Sequence, residues 1–130
     1  MFGAKNKKAQ IGKRGEEEAQ KYLRHLGYDI LCVNFCNYSG RRIGEIDIIA
    51  REKDEFVFVE VKSRTVRNNN YPPAEESITS SKLHKLNKIA RFYITKNNLW
   101  NNPHRFDAVC VYFSDTDPKV SIKHLKSIFL

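Results

Sequence analysis

The sequence predicts an α/β domain in which a mixed β-sheet is flanked by helices, in the order αβββαββ. Apolar residues recur at helical spacing over about 11–26 and again from 77–81 to about 96. Three runs with strand character lie between these helices, and two more follow the second helix. The 130 residues suit one compact domain. Because residues 1–10 are basic and lack an apolar period, we expect a mobile N-terminal arm followed by a single domain at 11–130.

The first helix carries three consecutive glutamates, at Glu16, Glu17 and Glu18. The simplest interpretation places all three in its first turns, where the helix macrodipole favours negative charge. At 100° per residue, however, Glu16 lies closest to the apolar stripe and Glu17 lies far on the solvent side. Of the three glutamates, Glu16 is therefore the one whose side chain is expected to face the interior of the domain.

After a first strand at about 28–35, a charged hairpin holds the most informative residues. Alternating apolar residues predict strands at 43–51 and 56–64, joined by the polar turn at 52–55. If Lys53 and Asp54 form the tip of the turn, two charged pairs share one face of the hairpin. These pairs are Asp47 with Glu60, and Glu45 with Lys62.

The two faces of this hairpin are predicted to differ. One face is an ordinary core, formed by Ile46, Ile48, Val57, Val59 and Val61. Ile49 and Phe58 share the charged face, so that face should be buried at one end and polar at the other, like a cleft. The same pattern also fits an exposed hairpin that carries simple cross-strand salt bridges.

Asp47 opposite Glu60 is unfavourable for two carboxylates alone, and a divalent cation would remove the conflict. Hard oxygen ligands suit Mg²⁺, or Mn²⁺, and Mg²⁺ usually takes only one or two carboxylates from a protein. Asp47, Glu60 and the backbone carbonyl of Val61 are the candidate ligands. Lys62 can orient or help to deprotonate an attacking water, or stabilise developing negative charge. Glu16 can reach the same site, as a ligand to a second metal or through water.

The remaining segments complete the domain. Residues 65–73 are polar and contain two prolines, which predicts a loop and a mobile flap beside the site. Strands are predicted at 106–113 and 120–125, with a turn at 115–118.

The charge balance favours a polyanionic partner. The formal net charge is +8 and the calculated pI is near 9.5, which makes nucleic acid a natural ligand. The second helix displays lysines that form either a solvated face or a phosphate-contacting one. The candidate phosphate contacts are Arg64, Lys82, Lys85 and Lys88.

Cysteine usage and hydropathy indicate the compartment. Three cysteines are an odd number, which predicts free thiols rather than disulfides. There is no apolar run of about 18 residues and no apolar segment typical of a signal peptide. We therefore expect a cytoplasmic protein with no membrane contact.

Two segments also carry a resemblance to a known family. GEIDIIA at 44–50 and FVEVKSR at 58–64 resemble the YraN family of small bacterial proteins, which is assigned to the PD-(D/E)xK, or restriction endonuclease-like, superfamily. The similarity continues through Gly15-Glu16 and through Arg105-Phe106-Asp107. It implies an αβββαβ core with a metal held at Asp47, Glu60 and the Val61 carbonyl.

The chain is also similar to archaeal Holliday-junction resolvases, whose catalytic set corresponds to Glu16, Asp47, Glu60 and Lys62. This similarity implies a Mg²⁺-dependent nuclease that acts on DNA, branched or structured DNA included, with a homodimer as one possible assembly. The alternative is a non-catalytic nucleic-acid-binding module that keeps the endonuclease-like fold.

Overall fold

A computed structural model describes residues 4–37 and 39–128. Its elements follow the predicted order αβββαββ, with one short 3₁₀ helix added before the second α-helix. The elements are α1 (Ala4–His25), β1 (Asp29–Cys36), β2 (Glu45–Glu52), β3 (Glu55–Val66), the 3₁₀ helix (Ala74–Ser77), α2 (Ser80–Lys96), β4 (His104–Ser114) and β5 (Val120–Leu125).

The five strands form one mixed sheet in the order β1-β2-β3-β4-β5. All neighbours are antiparallel except β3 and β4, which run parallel because the chain crosses over through α2 between them. The fold is therefore the predicted restriction endonuclease-like αβββαβ core, with β5 added at one edge of the sheet.

Both faces of the sheet are covered by a core. On the α1 side, Ala19 and Leu23 pack on β-strand residues that include Ile48, Val57 and Val59. On the α2 side, aliphatic residues of α2 pack against Phe58 and its neighbours. The α2-side residues are Phe35, Ile46, Ile49, Phe58, Leu86, Ile89, Ala90 and Ile94. The charged face of the hairpin is thus buried at the Phe58 end, as predicted.

One core prediction was wrong, because Ile46 and Ile48 belong to opposite cores. Both pair with β1, Ile46 with Phe35 and Ile48 with Val33. Between those pairs Asn34 has a positive φ of 52°. Asparagine tolerates this left-handed conformation, so β1 is irregular at the point where Ile46 and Ile48 diverge.

The first helix begins at Ala4 rather than near Ile11, so residues 4–10 of the predicted arm are helical. Met1–Gly3 lie outside the described residues. Ala, Lys and Gln are strong helix formers, and they extend the helix outward without needing an apolar stripe. In the described part of the chain, no helix is long and apolar enough to span a membrane.

The segment expected to be a flap at 65–73 contains regular structure. β3 continues to Val66, and a tight turn follows in which Arg67 forms an isolated bridge with Asn70. Asn68 and Asn69 have φ values of 55° and 58°, which asparagine adopts readily in turns. The Tyr112 hydroxyl then donates to the Pro72 carbonyl at 2.7 Å, which ties the segment to β4.

The three cysteines are free thiols, as predicted. Cys110 is buried in β4, whereas Cys32 and Cys36 are half-buried in β1.

Candidate active site

A cleft of about 410 Å³ opens where α1, the second half of β3 and the start of α2 meet. Two of the four predicted catalytic residues line it, Glu16 from α1 and Lys62 from β3, and so does the candidate ligand Val61. The lining residues are Lys8, Ile11, Gly12, Glu16, Val61, Lys62, Ser63, Arg64, Thr65 and Lys82.

Beside this cleft, β2 and β3 separate. Their register is the predicted one, with Ile48 opposite Val59 and Ile49 opposite Phe58, and the paired ladder ends at Ile48. Beyond that point, the backbone N–H of Val61 donates to Asp47 Oδ2 at 2.8 Å. A side chain has therefore replaced a backbone acceptor, and the Asp47 carboxylate lies between the two strands.

Asp47 is the electrostatic centre of the site. Burial and the neighbouring Glu60 raise the pKa of Asp47 to about 7, against an opposing hydrogen bond from the Val61 N–H. Glu16 and Glu45 add smaller contributions in the same direction. These four carboxylates thus lie near enough to repel one another, which is the situation that a bound cation relieves.

Glu16 approaches from α1. It is half-buried, whereas Glu17 is exposed, in agreement with the predicted orientation. The explanation by the macrodipole was wrong, because the helix begins at Ala4 and its first turn holds no acidic residue. Burial and the nearby Glu45 and Glu60 raise the pKa of Glu16, while an interaction with Asn34 lowers it.

Gly15 allows this approach. A Cβ atom at Gly15 would lie 1.7 Å from Ser63 Oγ and 3.0 Å from Ser63 Cβ, which is an impossible contact. Only glycine therefore lets α1 pack this closely on β3, and Glu16 is the next residue. A glycine inside a helical pattern is the signal in the sequence that indicates such close packing.

Lys62 and Glu60 form the charged pair on β3, with Nζ 3.3 Å from Oε1 and about a fifth of each side chain exposed. Glu45 was expected to position Lys62, but it pairs with Arg42 instead, at 3.3 Å. The divergence of β2 from β3 explains the change, since the ladder no longer holds Glu45 opposite Lys62.

Lys82 stands beside Lys62, a neighbour that the hairpin pattern did not reveal. The contact with the Lys62 ammonium lowers the pKa of Lys82. Burial opposes the charged form of Lys62, but its contacts with Lys82 and with the Glu60 and Asp47 carboxylates raise its pKa overall. The Thr79 cap fixes the position of Lys82, whose backbone N–H donates to Thr79 Oγ1 at 3.2 Å.

The four candidate phosphate contacts divide into two pairs. Arg64 and Lys82 line the cleft, and the Arg64 guanidinium donates to the buried Ser77 hydroxyl at 2.8 Å. Lys85 and Lys88 are exposed on α2 and do not line the cleft. Of these three lysines of α2, only Lys82 therefore belongs to the cleft.

The donor set fits a hard divalent cation. Asp47, Glu60 and the Val61 carbonyl offer oxygen atoms, and Mg²⁺ characteristically keeps several waters beside one or two carboxylates. Within residues 4–37 and 39–128, no three His, Cys, Asp or Glu side chains are close enough to form a metal cluster by themselves. Glu16 therefore does not complete such a cluster with Asp47 and Glu60.

The fold and this group of carboxylates and lysine define a restriction endonuclease-like domain. Residues 15–111 match the model of the Uncharacterised protein family UPF0102, and the chain belongs to that family, which is the YraN family that its motifs resemble.

Relatives of this family match nearly the full length of the chain. A UPF0102 protein of Caldicellulosiruptor saccharolyticus is 37% identical over 94% of this chain and 98% of its own. One of Acetivibrio thermocellus is 39% identical, with 97% and 93% covered. One of Clostridioides difficile is 42% identical, with 91% and 95% covered.

Proposed function

We propose that this protein is a Mg²⁺- or Mn²⁺-dependent nuclease that hydrolyses phosphodiester bonds in DNA, with branched or structured DNA as its substrate class. The observation that carries the proposal is the fork between β2 and β3. There the Asp47 carboxylate accepts from the Val61 N–H, and Glu60 and Lys62 stand beside it as an ion pair. This fork opens beside a cleft that contains basic residues.

Each residue has a chemical role in this proposal. Asp47, Glu60 and the Val61 carbonyl would hold the divalent cation, which supplies Lewis-acid activation of the attacked phosphate when bound. Lys62 orients the attacking water and stabilises negative charge that develops on the phosphate oxygens. Glu60 keeps the Lys62 ammonium at the site through their 3.3 Å contact.

Two further groups act on the position of the substrate. Glu16 lines the same cleft from α1 and would act there as a ligand to a second metal or through water. Arg64 and Lys82 line the cleft and would bind the phosphates on either side of the cut. Binding should therefore weaken strongly as the salt concentration rises, because each phosphate contact releases counterions.

The test is cleavage of a panel of linear duplex, single-stranded, flapped and four-way DNA in Mg²⁺ or Mn²⁺. We expect Glu60→Gln and Lys62→Ala each to lower the cleavage rate by roughly 100-fold or more, the scale seen when a group stabilising the transition state is removed. Their affinity for DNA should stay within a few-fold of the wild type. Glu17→Gln, an exposed glutamate next to Glu16, is the matched control and should cleave normally.

Two other outcomes decide against the proposal. Tight binding without any metal-dependent cleavage would support the non-catalytic DNA-binding module instead. Equal cleavage by the wild type and both site variants would show that a contaminating nuclease produces the activity.

A further inference from the structure

A groove continues from the cleft along the end of β3. Thr65 lines both the cleft and a second concavity of about 530 Å³, which also includes Arg67, Asn69 and Asn70. Tyr71 and Pro72 line this second concavity and also a third, of about 410 Å³, that extends to β5. The three concavities therefore adjoin one another at Thr65 and at Tyr71 and Pro72, and together they are called the path below.

Tyr71 stands where the second and third concavities meet. Its side chain is 48% exposed, and its ring packs edge-on against Tyr112 with the ring centroids 5.5 Å apart. Tyr112 is itself buried, and its hydroxyl donates to the Pro72 carbonyl. The Tyr71 ring is therefore braced by a fixed neighbour while about half of its surface remains open.

The charges along the path favour an anion. Its basic residues are Lys8, Lys62, Arg64, Lys82, Arg67 and Lys123, and its acidic ones are Glu16 and Glu75. Tyr71 adds an exposed aromatic ring to this basic path. Proteins that bind single-stranded nucleic acid combine these two features, because successive phosphates follow the positive charge and a base stacks on the ring.

We propose that Tyr71 is a stacking platform for an unpaired base of single-stranded DNA that leaves the cleft along β3. The inference rests on the proposed function, and it specifies a substrate with an unpaired strand beside the cut. Tyr112, on which the Tyr71 ring packs, is opposite the cleft residue Arg64 in the β3–β4 ladder, so the platform lies only a few nucleotides from the cleft. A continuous duplex presents no free base there.

The test measures binding in EDTA, so it does not depend on cleavage. The probes are a flapped DNA with the fluorescent base 2-aminopurine in its single strand, and a blunt duplex of the same length. Tyr71→Ala should weaken binding of the flapped DNA by roughly 5- to 150-fold, the effect of losing one stacked base, and should abolish the quenching of 2-aminopurine. Tyr71→Phe keeps the ring and should behave as the wild type.

Trp100→Ala is the matched control, since Trp100 is 52% exposed but lies outside the groove. It should leave both affinities unchanged. No loss in Tyr71→Ala, or an equal loss for flapped and duplex DNA, would overturn the inference even if cleavage is normal. A selective loss for flapped DNA in a protein that never cleaves would support the platform and overturn the nuclease.

Discussion

Asp47 combines two properties that an ordinary strand residue does not have. Its carboxylate accepts a backbone N–H from the neighbouring strand, and its pKa is raised to about 7 from an ordinary value of 3.8. Burial, followed by repulsion from Glu60, causes the rise. The native protein therefore takes up a proton at Asp47 over a pH range in which the unfolded chain has already released it.

This difference predicts a pH dependence of stability. Between about pH 4 and pH 7 the folded state binds more protons at Asp47 than the unfolded state does, so the contribution of Asp47 to the free energy of unfolding falls as the pH rises. In metal-free buffer, we expect the wild type to lose about 1–4 kcal/mol more stability than Asp47→Asn between pH 5 and pH 8. Urea denaturation in EDTA measures both differences.

Asparagine keeps the shape and the acceptor of aspartate, so the comparison cancels the other titrating groups. If Asp47→Asn loses as much stability as the wild type over this interval, Asp47 is not protonated near neutral pH. Excess Mg²⁺ should reduce the wild-type difference, because the cation binds the deprotonated carboxylate.

At the scale of residues, alternation along the hairpin was sufficient to predict Asp47, Glu60 and Lys62. Their relation depends on a local turn and a two-residue period, and the register is as predicted. Alternation failed at Ile46, which packs in the α2-side core while Ile48 packs in the α1-side core. The Lys62–Lys82 contact could not be predicted from the hairpin pattern either, because it joins β3 to a helix that follows a long connection.

At the scale of elements, α1 is held on β3 by the absence of a side chain at Gly15. Replacing Gly15 with alanine would force Ser63 or the helix to move, and Glu16 would move with the helix. We expect Gly15→Ala to destabilise the fold by about 1–3 kcal/mol, as overpacking usually does, and to lower DNA cleavage. Denaturation and cleavage assays measure the two effects.

Gly12 provides the matched control, because a Cβ atom there would meet nothing within 4 Å. Gly12→Ala should stabilise the protein by up to about 1 kcal/mol through helix propensity alone. Adding Ser63→Gly to Gly15→Ala removes the clash and should restore much of the lost stability. If the double variant is no better than Gly15→Ala, the contact with Ser63 is not the cause.

The elements themselves were largely predictable. The bounds of β5 match the prediction, and those of β1, β4 and α2 differ by a few residues. The start of α1 was not predictable from apolar periodicity, because residues 7–10 are exposed and the sequence of 4–10 has no apolar stripe. The extension of β3 to Val66 was not predictable, because the last residues of the strand are polar. Their pairing with β4 stabilises the extended conformation that their own strand propensity does not.

At the scale of the whole molecule, one buried network ties β4 to β5 and α1. Asp107 is completely buried and accepts from Arg105 Nε at 3.0 Å, and its Oδ2 lies 2.8 Å from His124 Nε2. The Tyr22 hydroxyl contacts the other His124 ring nitrogen at 3.1 Å. Burial opposes ionisation of Asp107, but hydrogen bonds with His124 and Arg105 outweigh it and lower its pKa.

Removing the carboxylate should therefore disrupt the fold rather than the chemistry. We expect Asp107→Ala to reduce the free energy of unfolding by about 3–5 kcal/mol, because it removes the buried carboxylate that Arg105 and His124 share. The exposed pair of Arg51 and Asp29 is the control, and Arg51→Ala should change stability by about 1 kcal/mol or less. Equal effects in the two variants, by chemical denaturation, would contradict this assignment.

This network marks what the sequence could not reveal. Arg105 and Asp107 are two residues apart, but His124 and Tyr22 come from opposite ends of the chain. Periodicity reports which face of an element is apolar, and it contains no information about which distant polar side chains meet. The resemblance to the YraN family includes the Arg105-Phe106-Asp107 segment but implies no role for it. In the structure, Arg105 and Asp107 are members of this buried network.

The parallel pairing of β3 with β4 also has a consequence for how the chain is made. β1, β2 and β3 follow one another and can pair as soon as they are synthesised, whereas β4 arrives only after α2. Closing that long connection is entropically slow. Until it closes, the apolar edge of β3 is unpaired and open to other nascent chains. β3, which contains Glu60 and Lys62, therefore keeps an unpaired edge until α2 and β4 have been synthesised and have folded onto it.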